Sequence, residues 1–187
     1  MELSNLNIKN GLCISLGANI DSKFGSPLDS LLICKPKIEE IIIEWGDNSN
    51  KKKGEKRKFH ANFFWSSIYE TLPHGVENEQ PNYLNTLLLI KSNSFPKPSN
   101  KMAKLLLKEL KKLERFFGRE TPKGKKWLSR CLDLDILWWE DFHTVDEELT
   151  LPHPRFMNRN FVITPLSEIL SRSQKIKKFD NPKWSIK

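Results

Sequence analysis

The 187-residue chain carries 31 Lys and Arg against 23 Asp and Glu, a formal net charge of +8, and 38% of its residues are apolar. That length supports a single domain over residues 1–187 with its own core, and six Trp and eleven Phe exclude a disordered tail, which lacks large apolar side chains. Apolar runs such as 105–107 and 41–43 fall far short of the roughly 20 residues that cross a bilayer, no secretory leader is expected from the polar N-terminus, and Cys13, Cys34 and Cys131 suit reduced thiols, so a cytoplasmic protein without membrane contact is expected.

In chain order, residues 12–16 read as a short buried strand, ended by Gly17-Ala18-Asn19, where Gly and Asn tolerate turn geometry. Ser26-Pro27 supplies an N-cap and first-turn proline for a helix in which Leu28, Leu31, Leu32, Ile38, Ile41 and Ile42 recur, with Pro36 expected to kink or split it. The Gly-, Asn- and Lys-rich segment 46–58 reads as a solvated insertion. Segments 59–70 and 83–90 read as paired strands joined by turn residues around Pro73-His74-Gly75 and 78–82.

Ser99 caps a second helix whose Met102, Leu106, Leu110, Leu113 and Phe117 lie three or four apart, one apolar stripe opposed by lysines. Gly118 stops it, and 119–129 reads as a mobile loop. In the run Leu132-Asp133-Leu134-Asp135-Ile136 the leucines and isoleucine face one way and the two acids the other. Residues 151–170 read as a turn and short helices, and 171–187 as a basic frayed tail. The order strand, helix, two strands, helix, strand predicts an α+β, ferredoxin-like split βαβ sandwich: an antiparallel sheet with helices packed on one face.

Charge is concentrated. The segment 101–130 holds eleven positive and three negative residues, whereas 131–150 holds seven acids and no Lys or Arg. A basic segment abutting an acidic one suits phosphates gripped by cations on one side and by a carboxylate-held metal on the other. Two carboxylates on one strand face, roughly 7 Å apart along it, can share a hard divalent cation whose remaining positions substrate phosphates fill. Taken alone, Asp133 and Asp135 fit a solvent-facing strand edge better than a metal site. The nearby Arg119, Lys123, Lys125, Lys126 and Arg130 tilt the reading, because phosphoryl transfer rests on positioning and charge stabilisation. Arg155 and Arg159, four apart, would share a helix face behind His153. Tyr83 and Asn85 would share a strand face, as a stacking platform with an amide beside it or as ordinary sheet packing.

These pieces occur in a fixed order: Ser15-Leu16-Gly17-Ala18-Asn19, Tyr69-Glu70-Thr71, Pro81-Asn82-Tyr83-Leu84-Asn85, Leu113-Glu114 with Gly118-Arg119, Trp127 and Arg130, the Leu-Asp-Leu-Asp-Ile strand, then Pro152-His153-Pro154-Arg155-Phe156-Met157 with Arg159 and Phe161. Together they resemble the 6-hydroxymethyl-7,8-dihydropterin pyrophosphokinases of folate biosynthesis, over about residues 12–170. The resemblance implies an enzyme that moves the terminal diphosphate of ATP onto 6-hydroxymethyl-7,8-dihydropterin, releasing AMP. It implies two Mg2+ ions on Asp133 and Asp135 and catalytic roles for these acids with Arg119 and Arg130. It further implies a pterin site from Thr71, Tyr83, Asn85 and Phe161, and ATP contacts from Glu114, Trp127, His153 and Arg159. A monomer that binds no nucleic acid is expected. The chain departs from the family's pattern at Leu72-Pro73-His74, at Leu128-Ser129 between Trp127 and Arg130, and at Lys111, Glu148 and Asn160. Two other readings are a nucleic-acid-binding ferredoxin-like module, disfavoured by the acidic stretch 133–148, and a catalytically silent relative.

Overall fold

A computed structural model describes residues 11–49, 58–73, 80–119 and 128–179. Strand β1 (Leu12–Ala18) is buried along its whole length because it is central: it pairs antiparallel with β4 (Tyr83–Lys91) on one side and β5 (Asp133–Trp139) on the other. Beyond β4 lie β2 (Asn62–Trp65) and β3 (Tyr69–Thr71), both antiparallel to it. The resulting order β2-β4-β1-β5, with β3 also on β4, is the expected split βαβ arrangement.

Helix α1 (Pro27–Ser49) starts at a capping box: the Ser26 amide donates to Asp29 Oδ2 at 2.9 Å and the Asp29 amide to Ser26 Oγ at 3.3 Å. Pro36 lies inside it without ending it. Leu31, Cys34, Ile38, Ile42 and Trp45 are all buried against the sheet, and burial of that stripe outweighs the hydrogen bond a proline removes. The helix also runs into the segment read as a loop from residue 46. Gly46 makes this possible, since a Cβ there would overlap the Phe59 ring, and the Phe59 amide donates to Asp47 Oδ1 at 2.6 Å. Residues 50–57 of the expected insertion lie outside the described residues.

The single strand expected over 59–70 is two. Between the pairs Trp65–Leu88 and Tyr69–Asn85, three residues oppose two on β4. Ser66 fills the break: its amide donates to the Leu87 carbonyl at 3.0 Å while its Oγ accepts from the Leu87 amide at 2.9 Å, a hydroxyl standing in for ladder carbonyls. Glu168 closes the outside of this bend by accepting from the Ser67 amide and hydroxyl, each at 2.8 Å, and from the Tyr69 hydroxyl at 3.1 Å.

Helix α2 (Asn100–Phe116) is capped as expected by Ser99, whose Oγ accepts from the Met102 amide. It ends at Gly118, φ +101°, where the Arg119 amide donates back to the Glu114 carbonyl at 3.0 Å. This left-handed stop fixes where Arg119 leaves the helix. After β5 come a small hairpin, β6 (Thr144–Val145) with β7 (Thr150–Leu151), a 3-10 turn (Phe156–Asn158) and α3 (Asn160–Phe179). The expected short helices are therefore one long helix, which continues to Phe179 through the segment read as a frayed tail from 171. No helix among the described residues is long and apolar enough to cross a membrane.

The expectation that helices cover one sheet face is corrected. Helices α1 and α2 cover the face of Leu12, Ile14, Leu16, Leu134 and Ile136. Helix α3 packs Val162, Leu166 and Ile169 on the other, against Cys13, Leu87, Leu89, Leu137 and Trp138. Leu137 is an extra residue in the β1–β5 register, where Cys13 faces Trp138 and Ile14 faces Ile136, and the bulge lets Leu137 and Trp138 both reach this second core. The other half of the α3 face carries Ser15, Gly17, Asn85, Asp133 and Asp135, and it is the floor of a cleft.

Candidate active site

The cleft encloses about 380 Å3. Its floor forms because the second sheet face turns from apolar to polar along the strands: Ser15 pairs in register with Asp135, and Gly17 with both Asp133 and Asn85. Asp133 and Asp135 stand on the cleft side of β5 and Leu134 and Ile136 on the core side, as the alternation requires.

At one side of the floor, the Asn85 amide nitrogen donates to Thr71 Oγ1 at 2.8 Å. Tyr83 lies one strand step away, and its hydroxyl donates to the Leu128 carbonyl at 3.3 Å; burial pushes its phenol above the ordinary range. Phe161, in the first turn of α3, also lines the cleft, with the Arg159 guanidinium 5.3 Å from its ring centroid. Two aromatic rings and a fixed amide thus share one compartment, able to hold a flat, hydrogen-bonding heterocycle.

Cations gather over the acids. Arg119 Nη1 lies 3.0 Å from Asp133 Oδ1, and Arg130 Nη1 donates to that same oxygen. Arg159 approaches Asp135 at 3.9 Å. Burial alone would lower the Arg130 guanidinium, yet the neighbouring Asp133 carboxylate brings it above its ordinary value, whereas burial prevails at Arg159 and lowers it. His153 is anchored by its amide to the Leu137 carbonyl at 2.7 Å, and its Nδ1 accepts from the Arg155 amide at 3.2 Å, which places the ring proton on Nε2. Burial, helped by Arg159 and Arg155, lowers the imidazole below its usual value. With Arg155 also on the wall, four guanidiniums face two carboxylates, a surplus suited to a polyphosphate.

Both carboxylates keep exposed surface, about a quarter of Asp133 and a third of Asp135. Oxygen donors with open sides fit a hard divalent ion shared with phosphate oxygens. No cluster of three or more His, Cys, Asp or Glu occurs among the described residues, so such an ion would need ligands from its substrate or from water.

Of the residues expected at the site, Thr71, Tyr83, Asn85, Arg119, Arg130, Asp133, Asp135, His153, Arg159 and Phe161 line this one cleft. Trp127 lies outside the described residues. Glu114 does not reach the wall: it is 1% exposed, sealed between α2 and β5. Arg155 and Arg159 share no helix face, since they flank the 3-10 turn and precede α3, yet both reach the cleft.

Two positions were legible in the sequence only as turn residues. Gly17 leaves room for the Asn85 side chain, whose Oδ1 would stand 2.9 Å from a Cβ there. Asn19, buried beside the cleft, donates to the Pro81 carbonyl at 3.1 Å and Ser129 Oγ at 3.3 Å, while its Oδ1 accepts from the Arg130 amide at 2.7 Å. One side chain therefore ties the end of β1 to both flanking loops and sets the main chain from which Arg130 projects.

A family model described as 7,8-dihydro-6-hydroxymethylpterin-pyrophosphokinase (HPPK) matches residues 13–171. The chain is 39% identical over 106 residues to a 2-amino-4-hydroxy-6-hydroxymethyldihydropteridine pyrophosphokinase of Haemophilus influenzae, covering 57% of this chain and 60% of that protein. It is 37% identical over 110 residues to the Bacillus subtilis protein of the same name, covering 59% and 60%. To a folate synthesis bifunctional protein of Arabidopsis thaliana it is 38% identical over 141 residues, 71% of this chain and 27% of that protein. The chain thus spans about 60% of the bacterial relatives and about a quarter of the plant one. The family match, covering nearly the whole sheet, helices α1 and α2, the first part of α3 and every residue that lines the cleft, places this chain in the 7,8-dihydro-6-hydroxymethylpterin-pyrophosphokinase (HPPK) family.

Proposed function

We propose that this chain transfers the terminal diphosphate of ATP to the hydroxymethyl group of 6-hydroxymethyl-7,8-dihydropterin. The observation that carries the reading is that one cleft gathers Tyr83, Phe161, Asn85 and Thr71 together with two acids and four arginines. The pterin hydroxyl oxygen attacks the β-phosphorus, the bond from that phosphorus to the α,β-bridging oxygen breaks, AMP leaves, and the hydroxyl proton passes to solvent.

The protein's part is positioning and charge. Asn85 and Thr71 read the polar edge of the pterin, while Tyr83 and Phe161 hold its faces. Arg119 and Arg130 neutralise charge on the transferred diphosphate, and Arg159 with the His153 Nε2–H binds the phosphate that stays with AMP. Asp133 and Asp135 would hold magnesium, two ions when ATP is bound, which supplies electrostatic stabilisation of the phosphates. Arg119 and Arg130 neutralise Asp133, so nucleotide binding exchanges a carboxylate for phosphate oxygens around the same guanidiniums.

The test is to incubate the protein with ATP, magnesium and 6-hydroxymethyl-7,8-dihydropterin and resolve the nucleotide product. AMP formed one for one with a pterin diphosphate is the expected result. ADP would replace the reading with a monophosphoryl kinase, and pterin-dependent nucleotide binding without turnover would mark a silent relative.

A further inference from the structure

Glu114 is a charged residue where α2 presents its buried side. Ala103, Leu106, Leu110 and Leu113 form the rest of that side, and Glu114 is as inaccessible as they are. Packing alone would be served by an apolar residue, because burying a carboxylate is costly unless every oxygen is matched. Here each is. Oε1 accepts from the Leu134 amide at 2.7 Å and from Lys111 Nζ at 2.8 Å, and Lys111 also donates to the Leu134 carbonyl at 3.3 Å. Oε2 pairs with Arg119 Nη1, which reaches on to Asp133 Oδ1 at 3.0 Å. The Glu114 carbonyl, in turn, accepts the Arg119 amide at 3.0 Å.

One residue thus grips Arg119 by main chain and side chain and grips β5 at Leu134, midway between the two acids. We infer that Glu114 is a positioning residue: through its buried carboxylate it sets the Arg119 guanidinium and the Asp133–Asp135 strand in one fixed relation and makes no contact with nucleotide. This rests on the proposed diphosphate transfer for its kinetic consequence, though not for its structural one. Lys111 supplies the countercharge from the preceding turn. Burial holds the Glu114 carboxyl above the usual range, with Lys111 and Arg119 pulling it back down.

Glu114→Gln retains the side-chain volume and an acceptor for the Leu134 amide but loses the charge that holds Arg119. In substrate-free protein, the guanidinium 15N signals of Arg119, assigned through Arg119→Lys, should show hindered rotation. That signature should be lost in Glu114→Gln and kept in Glu109→Gln, whose carboxylate pairs with Lys112 on the exposed face. Unaltered Arg119 signals in Glu114→Gln overturn the inference whether or not the protein turns over.

In kinetics, Glu114→Gln should lower kcat about 10- to 100-fold, the scale of losing one charge-assisted contact, with KM for ATP within about twofold. It should cost nothing further in an Arg119→Ala background. A raised KM with kcat intact would make Glu114 a nucleotide ligand, and an equal loss in the Arg119→Ala background would make it act elsewhere; either result overturns the inference. Arg119→Lys, which leaves Glu114 in place, guards against misfolding. A lysine cannot span two carboxylates as a guanidinium does, so wild-type turnover in that variant also overturns it. Wild-type protein that forms no AMP refutes the proposed function and leaves the spectroscopic arm to decide this one.

Discussion

Gly17 and Asn85 face each other across the β1–β4 pair, and the Asn85 carboxamide occupies the space a side chain on residue 17 would fill. Asn85 cannot simply swing aside, because its other amide atom is held by Thr71 at 2.8 Å and the residue is buried. Gly17→Ala should therefore displace the amide proposed to read the pterin edge. Losing one or two such contacts costs about 1–3 kcal/mol, so KM for the pterin should rise about 5- to 150-fold while KM for ATP stays near wild type. Steady-state kinetics in each substrate checks this, and an unchanged pterin KM would remove Asn85 from the binding site.

Asp133 and Asp135 differ in their company: two arginines share Asp133, whereas among the described residues Asp135 pairs only with Arg159, at 3.9 Å. Either Asp→Asn change, or chelation of magnesium, should lower AMP formation on the order of 100-fold or more, as when a preorganised charge group is removed. Without magnesium the variants should diverge. Asp133→Asn releases two guanidiniums for phosphate, so ATP binding measured by calorimetry in chelator should tighten more there than in Asp135→Asn.

Asn19→Ala should act on a residue it does not resemble. The change unties Pro81, Ser129 and the Arg130 amide together, a loss of three part-buried hydrogen bonds at about 1–3 kcal/mol in all. The melting temperature should fall by several degrees, about 2–4 °C for each kcal/mol in a domain of this size. Turnover should fall as well, with AMP release slowed more than ATP binding is weakened. Equal activity at a lowered melting temperature would limit Asn19 to stability.

Stability at acid pH should report Glu168. Burial by itself would raise its carboxyl, but the Ser67 amide and hydroxyl, the Tyr69 hydroxyl and Arg172 together hold it below the ordinary range. A depressed folded value contributes stability that is present above the unfolded carboxyl's range and lost as pH falls through it. Urea titrations should show Glu168→Gln less stable than wild type at neutral pH, and the two should converge as acid protonates the carboxylate. Glu114 has the opposite sign, since burial raises its carboxyl, and its ionisation detracts from stability as pH rises. A gap between wild type and Glu168→Gln that stayed constant with pH would dismiss the linkage.

Local periodicity was enough to show much of this protein. Alternation in 132–136 put both acids on one face and their neighbours in the core, and the spacing of Leu106, Leu110 and Leu113 with Ser99 and Gly118 at the ends bounded α2, because side-chain direction follows from residue number once the element is known. The residues gathered in the cleft were legible for a different reason, the resemblance that their ordered set of short motifs carries. Where elements break or join was not. Ser66 interrupts a run that reads as one strand, Leu137 adds a residue to β5, and α3 passes through Pro165; each depends on what packs against it from distant sequence. Glu114 is the sharpest instance. It follows Leu113 at the edge of the α2 stripe, and its number alone leaves it free to face solvent or a ligand. Only the docking of β5 over α2 seals it from water and supplies the Leu134 amide, and only the left-handed turn at Gly118 brings Arg119 back to it. Sequence determined which chemistries were present and on which face of each element they stood. The tertiary contacts decided which charges meet, because the energy of a buried carboxylate is set by the partners that close around it.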